Sequence, residues 1–453
     1  MNQTQPKNQK PEIKTAIPGP RSQALRQRED VHVAPGLQGY ALMAGVAVDQ
    51  ARGSAITDVD GNTFIDFIGG IAVNALGHSH PTYVKAVQDQ VARVSVGALT
   101  SEARVELCER LAARTPPGLH RVQLYSSGAE AVESALRLCK CHTGKHEFVS
   151  FWGAFHGKTM GVLSLMGSRW KEKLGPMLPG SHIVPYADCY RCPLKLDYPA
   201  CSMACVDVAR KQLLMSSAGS IAGVIVEPMQ GTAGNIVPPK EFLPAVRDLA
   251  HEMGALFIAD EMITGMGRTG RPFGVNHTGV VPDIMTVGKA FGGGFPLSGI
   301  VTTDAIASAK PWSNPSGSSS SYGGNPLAAA AGAAALKIID DERLVDNAAK
   351  VGAFMLGELE KMVDRYPFVG FAQGAGLFLR LELVKDKATK EPLPRPVTER
   401  IFHECVRRGL LTMAYAANFR IQPALTIDEA TARNGLDVLR EVFDTCERER
   451  WTA

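Results

Sequence analysis

Short apolar runs recur through the middle of the chain, with amphipathic stretches between them. The runs are VQLY (122–125), EFVSF (147–151), AGVIVEP (222–228), GALFIADEM (254–262), DIMTVGKAF (283–291) and SGIVTT (298–303). Each has the length of a strand. Between several of them apolar residues return with helical spacing, as in GAEAVESALRLCK (128–140) and KEFLPAVRDLAHEM (240–253). That spacing lines one apolar face along a helix. Strand–helix alternation of this kind predicts an α/β architecture, a mostly parallel sheet covered on both faces. Upstream, GSAITDVDGNTFIDF (53–67) sets a D-G-N turn between two β-rich runs and predicts a hairpin. Downstream the pattern is helical over 343–364, 397–408 and 428–449, with the strand-like GLFLRLELV (376–384) between. This predicts a second, smaller α+β domain.

The expected organisation is a mobile or partner-wrapping arm over residues 1–30, which are polar, proline-bearing and unpatterned. Residues 31–100 are read as a linker and the first part of the small domain, 101–336 as the large domain, and 337–453 as the rest of the small domain. The length of 453 residues agrees with two or three lobes, since domains run to roughly 100–200 residues.

Composition narrows the partners. Lys and Arg number 48 against 45 Asp and Glu, a formal charge of +3, so no strong field favours nucleic acid or a membrane surface. The longest gapless apolar stretch, LAAAAGAAAL (327–336), is about half the roughly 20 residues that span a bilayer. The opening MNQTQPKNQKPEIK has no apolar core of a secretory signal, so a cytoplasmic protein is expected. Nine cysteines form an odd set, which argues against a disulfide framework. Four of them, Cys189, Cys192, Cys201 and Cys205, are spaced C-x2-C-x8-C-x3-C. Thiolate pairs so spaced can hold zinc or an iron–sulfur cluster. The span between the pairs is shorter than in common zinc patterns. A compact loop of packed thiols is the expected reading, with a metal or a disulfide as the alternatives.

Four features carry chemistry. Ser126-Ser127-Gly128-Ala129-Glu130 follows VQLY and opens a helix, where unpaired amides and the positive dipole end can cup a phosphate. Asp260 ends GALFIAD, at the strand end where ligands of open α/β sheets collect. A carboxylate behind that apolar run needs a partner, and a protonated ring nitrogen would serve. Lys289 ends DIMTVGK before a glycine-rich turn, where partial desolvation suits an amine nucleophile. Phe155, in WGAFHGKT, can stack on a flat heterocycle. Each alone has a bland structural reading. Together they supply what pyridoxal phosphate needs: anchor, pyridinium partner, Schiff-base lysine and ring support. Competing motifs fall away. GMGRTG (265–270) matches a dinucleotide fingerprint, but RPFGVNHTG follows it and leaves no helix start. GAFHGKT (153–159) has three residues between its glycines where a P-loop has four.

From about Gly53 to about Ile427 the chain resembles the class III pyridoxal-phosphate aminotransferases of fold type I, the family of 4-aminobutyrate, ornithine and putrescine aminotransferases. The blocks that carry the likeness are DVDGNTFIDF, GIAVNALGHSHP, SSGAEAVESA, FHGKT, VIVEPMQG, FIADEMITGMGRTG, PDIMTVGKAFGGGFP, SYGGNPLAAAA and FRIQPALTI. The resemblance implies a large domain built on a mostly parallel, seven-stranded type of sheet. It implies that Lys289 forms the Schiff base and Asp260 pairs with the pyridine nitrogen. Ser127, Gly128 and Ala129 then hold the phosphate, Phe155 stacks on one ring face with His156 beside it, and Glu227 lies near the cofactor. Met262 stands where the family usually places Val, and Ile263 where it often places Gln. Ser321 keeps the hydroxyl that reaches the phosphate of a neighbouring subunit, which implies a homodimer with shared sites.

For substrate, the resemblance assigns Arg420 to the α-carboxylate, with Ile71 and Lys158 also substrate-binding. Thr232 occupies the place of a glutamate that parks the arginine in ornithine and 4-aminobutyrate enzymes. Lys158 stands where 4-aminobutyrate enzymes use Arg, a weaker selector of a far carboxylate. The implied reaction is ping-pong transfer of an amino group from an ω-amino acid, diamine or related amine to a keto acid such as 2-oxoglutarate or pyruvate. Some relatives racemise or epimerise amino acids with the same lysine, and that is the alternative. A cofactor-less binding protein is a third reading.

Overall fold

The computed structural model describes residues 5–167 and 169–452, the side chain of Arg169 excepted. Residues up to Val84 pack with those from Arg343 onward as a first unit, and Lys85–Glu342 form a second. The first unit begins with strands β1 (Val48–Arg52), β2 (Ala55–Asp58) and β3 (Thr63–Asp66). The second holds β4 (Arg121–Tyr125), β5 (Glu147–Phe151), β6 (Ser181–Val184), β7 (Ile221–Val226), β8 (Leu256–Asp260), β9 (Ile284–Val287) and β10 (Ser298–Thr302). The first resumes with β11 (Val369–Ala375), β12 (Phe378–Asp386), β13 (Glu391–Pro392), β14 (Leu410–Leu411) and β15 (Asn418–Ile421).

In the second unit the strand order is β4-β10-β9-β8-β7-β5-β6, and β10 alone runs antiparallel to its neighbours. The sheet is mostly parallel, as the apolar runs predict, and has the seven strands that the resemblance implies. Adjacent residues of one strand serve opposite faces. Ile225 and Ile258 pack with Ala131, Val132 and Ala135 of the helix Gly128–Thr143. Val224 and Phe257 pack with Val246 and Leu249 of the helix Phe242–Glu252. Burial on both faces is why these strands read as unbroken apolar runs. The strand β6 escapes the sequence reading, because SHIV is an edge strand with only Val184 buried.

In the first unit β2 and β3 form the expected hairpin, pairing Ile56 with Phe64. Asp58 Oδ1 accepts the amides of Asp60 and Asn62 at 2.9 and 2.8 Å, which closes the D-G-N turn. Residues 20–32 depart from the unpatterned arm, since Pro20–His32 is a helix. Pro20 suits its first turn, where no amide is required. Asp60 of the hairpin turn accepts the amides of Arg21 and Ser22, both at 2.8 Å. Of this helix only Ser22 is buried, so no apolar period marks it in the sequence. Among the described residues no helix is long and apolar enough to cross a membrane.

Candidate active site

The carboxyl ends of β4, β5, β7, β8 and β9 share one edge of the sheet. The turn after β4 opens the helix Gly128–Thr143. Ser127 is its N-cap, with Oγ accepting Glu130 N at 3.2 Å, while Glu130 Oε2 accepts Ser126 N at 3.0 Å. The first-turn amides of Gly128 and Ala129 lie at the open end of the helix, where no intrahelical acceptor exists. A Cβ on Gly128 would lie 3.1 Å from Met262 Sδ, and one on Gly288 2.5 Å from the same atom. Two glycines thus let Met262 sit between the helix start and the turn that carries Lys289.

Asp260 closes β8 and is wholly buried. Its Oδ1 accepts Met262 N at 3.1 Å and Thr286 Oγ1 at 2.9 Å, and its Oδ2 accepts His156 Nδ1–H at 2.6 Å. Burial pushes the pKa of His156 down. The hydrogen bond and charge of Asp260, with the charge of Glu227, outweigh it and leave the imidazole above its usual range. Glu227, directly after β7, accepts Phe155 N at 2.9 Å and Gly231 N at 3.0 Å, so one carboxylate ties two loops of the site together. Its pKa is raised, chiefly by burial, against the opposing charge of His156. Lys289 follows β9 at φ +48, in the left-handed region that ordinary residues rarely enter.

Phe155, Glu227, Asp260, Met262, Ile263 and Lys289 line one cavity, together with Gly231 and Thr232. His156 lies behind Asp260, and the Ser127–Ala129 turn abuts Met262. Lys158 is exposed, its Nζ 4.6 Å from the Trp170 ring centroid and 6.0 Å from that of Phe155. Ser321 is exposed and is not among the residues lining the cavity. Ile71 and Arg420 belong to the first unit. The sequence reading misses Thr286. Its partner Asp260 is 26 residues away, and only the parallel register of β8 with β9 sets them opposite each other.

Two buried charged residues follow Asp260 in the chain, outside the cavity lining. Arg268 of GMGRTG is wholly buried, and burial pushes its pKa down to about 9. Glu261, also wholly buried, accepts Thr264 Oγ1 and the amides of Gly274 and Val275, both at 2.8 Å. Burial raises its pKa to about 7 despite those bonds. A carboxyl raised on folding contributes stability that is complete below its unfolded value of roughly 4.3 and is lost as pH rises through about 7. Glu261→Gln keeps an acceptor oxygen and removes the titration. It is therefore expected to lessen the decline in stability between pH 5 and pH 8 by on the order of 2 kcal/mol. Urea unfolding midpoints at the two pH values measure this, and an unchanged slope would count against the raised carboxyl.

Cys189, Cys192, Cys201 and Cys205 line a separate cavity beside Tyr186 and Leu194. All nine cysteines are free thiols. Burial, and then the neighbouring thiols, push Cys189 up to about 11. Among the described residues no three His, Cys, Asp or Glu side chains are set to hold a metal ion.

Known proteins resemble this chain over most of its length. A leucine/methionine racemase of Thermococcus litoralis is 32% identical over 90% of this chain and 92% of its own. A 5-aminovalerate aminotransferase of Pseudomonas putida is 34% identical over 93% of this chain and 98% of its own. The solved PLP-bound amine transaminase of an uncultivated Pseudomonas species superposes with a TM-score of 0.84 at 31% identity, over 91% of this chain and 98% of that one. The family model described as Aminotransferase class-III matches residues 38–443, and with the seven-stranded sheet and the cavity at its carboxyl edge this places the chain in the class III aminotransferases.

Proposed function

We propose that the chain is a pyridoxal-phosphate-dependent transaminase. It moves an amino group from an ω-amino acid, a diamine or a related primary amine to a keto acid such as 2-oxoglutarate or pyruvate. The observation that carries the reading is one cavity lined by both Lys289 and Asp260, beside the open start of the helix Gly128–Thr143. These residues fit the cofactor's chemistry: a helix start for its phosphate, a buried carboxylate for its ring nitrogen, an amine for its aldehyde and Phe155 for its ring face. Bound there, pyridoxal phosphate supplies the electron sink that makes the donor's α-proton acidic. Lys289 Nζ is the base that takes this proton, and the acid that delivers one to the acceptor's α-carbon in the second half-reaction. Asp260, held by Thr286, Met262 N and His156, has a fixed place in the cavity wall. Met262 and Ile263 supply apolar walls. Arg420 grips the acceptor's carboxylate by a two-pronged pair, with Ile71 and Lys158 in the substrate's surroundings.

A homodimer with shared sites belongs to the same reading. Ser321 is exposed, as a group serving a second copy must be, and Tyr322 and the apolar Val91, Val94, Val96 and Leu99 are exposed in the same unit. Nine free thiols suit the reducing cytoplasm. A racemase is the second reading, and the Thermococcus litoralis relative favours it. Single-substrate incubation separates the two. Adding one candidate amine without any keto acid is expected to shift the cofactor's absorption once and to release one equivalent of carbonyl product. Loss of optical rotation of an amino acid with no carbonyl product would instead establish racemisation.

A further inference from the structure

Four consecutive residues after β3 turn left-handed: Gly69, Gly70, Ile71 and Ala72, at φ +56, +61, +62 and +61. Two are glycines, for which this costs little. Ile71 is β-branched, and a positive φ there is an outlier that only strong surroundings maintain. Those surroundings are specific. Asp66 Oδ1 accepts the amides of Ile68 and Gly69, both at 2.9 Å, and Asp66 Oδ2 accepts His78 Nε2–H at 3.1 Å. The segment is then fastened at both ends to the chain that leaves β15. Gln422 N donates to Phe67 O at 2.8 Å, and Leu425 N donates to Ala75 O at 2.8 Å. Between these bonds the fit is tight, because a Cβ on Gly69 would lie 2.6 Å from the backbone oxygen of Gln422.

Arg420 stands two residues before Gln422, in β15 and opposite Arg380 of β12. We infer that the left-handed turn Gly69–Ala72 is a template for the position of Arg420, and that Gly69 is a positioning residue for recognition of the keto acid's carboxylate. The inference rests on the reading of Arg420 as the carboxylate-binding arginine. Gly69 acts because it has no side chain. Its bare Cα lets Gln422 O approach and so sets where β15 ends. Asp66 holds the turn in its left-handed form, and Ile71, fixed in the same turn, keeps a constant relation to Arg420.

The test uses the holoenzyme with 2-oxoglutarate as acceptor and glutarate as its unreactive analogue, or pyruvate and propionate if pyruvate turns over faster. Gly69→Ala is expected to raise the acceptor KM and the analogue Kd by about tenfold, since misplacement near 1 Å is enough for losses of that size or larger. The donor half-reaction with an amine lacking a carboxylate should stay within about twofold of wild type on the same argument. Gly70→Ala faces the same backbone demand at φ +61, but its nearest new neighbour is Val73 Cβ at 3.7 Å. It is expected to leave the acceptor KM within about twofold, as displacement and not backbone strain is the cause. In an Arg420→Ala background the Gly69→Ala effect should vanish, because both act on one contact. If the two substitutions multiply, or if Gly69→Ala slows both half-reactions equally, the inference is overturned. If Arg420→Ala alone leaves the acceptor KM unchanged, the reading of Arg420 fails first. Should Gly69→Ala yield no folded holoenzyme, Asp66→Asn carries the same comparison, because it weakens the acceptor of the Ile68 and Gly69 amides without adding a heavy atom. A normal acceptor KM in that variant would overturn the inference.

Discussion

Lys289→Ala is expected to lower turnover by about a thousandfold or more while the cavity still accepts the cofactor. Removing the amine takes away both the covalent anchor and the group that moves the α-proton, and general acid–base transfer alone contributes roughly 10²–10⁴. The rest of the site keeps its geometry. Asp260 is held by Thr286, Met262 and His156, and Glu227 by Phe155 and Gly231, and the substitution leaves each of these bonds in place. Borohydride reduction followed by peptide mapping gives a second readout that does not depend on turnover. The wild type should be tagged at Lys289 and the variant nowhere. Near-normal turnover in Lys289→Ala, or a wild-type tag on another side chain, would remove the basis of the proposed mechanism.

Asp260→Asn is expected to slow the donor half-reaction by a hundred- to a thousandfold, the usual loss when a preorganised charge at the reacting centre is removed. The substitution is nearly isosteric, and its amide oxygen can still accept from Thr286 Oγ1 and Met262 N. The negative charge is what disappears. His156 loses that charge too, and its imidazole should fall back, since burial is then opposed only by the charge of Glu227. The sign of the pH effect follows. In the wild type a histidine raised on folding contributes stability that is complete below its unfolded value of roughly 6.5 and is lost as pH rises through its folded value. In Asp260→Asn this loss with rising pH should shrink. Single-turnover kinetics with one amine, and unfolding midpoints across pH 6–9, measure the two effects. A variant that is slow but keeps the wild-type pH dependence of stability would show that the His156–Asp260 pair is not what raises the imidazole.

Much of the site is legible in one sequence because each part is local. Ser127 caps the helix Gly128–Thr143 through a residue three positions on. Asp260 is the last residue of β8, and Lys289 follows β9 after one glycine. The apolar runs mark the strands because both faces of the sheet are buried, and a strand end is where a polar residue in such a run becomes conspicuous. Strands and helices lacking that signal are invisible in the same text. The edge strand β6 is only half-buried, and Pro20–His32 buries Ser22 alone.

By itself the sequence determined the chemistry available to this protein: an amine, a carboxylate, an aromatic ring and a helix start, each placed at the carboxyl end of a strand by local periodicity and turn residues. Only the tertiary structure decided which groups serve them. Thr286 meets Asp260 through the register of two parallel strands, and Glu227 joins the Phe155 loop to Gly231 across 72 and 4 residues. Gly69 meets the oxygen of Gln422 because a left-handed turn in one part of the chain is hydrogen-bonded to the end of a strand some 350 residues later. The physical reason is common to all three. Periodicity is a property of neighbours along the chain, whereas a supporting contact depends on strand order, register and the absence of a Cβ, and these exist only once the chain has packed.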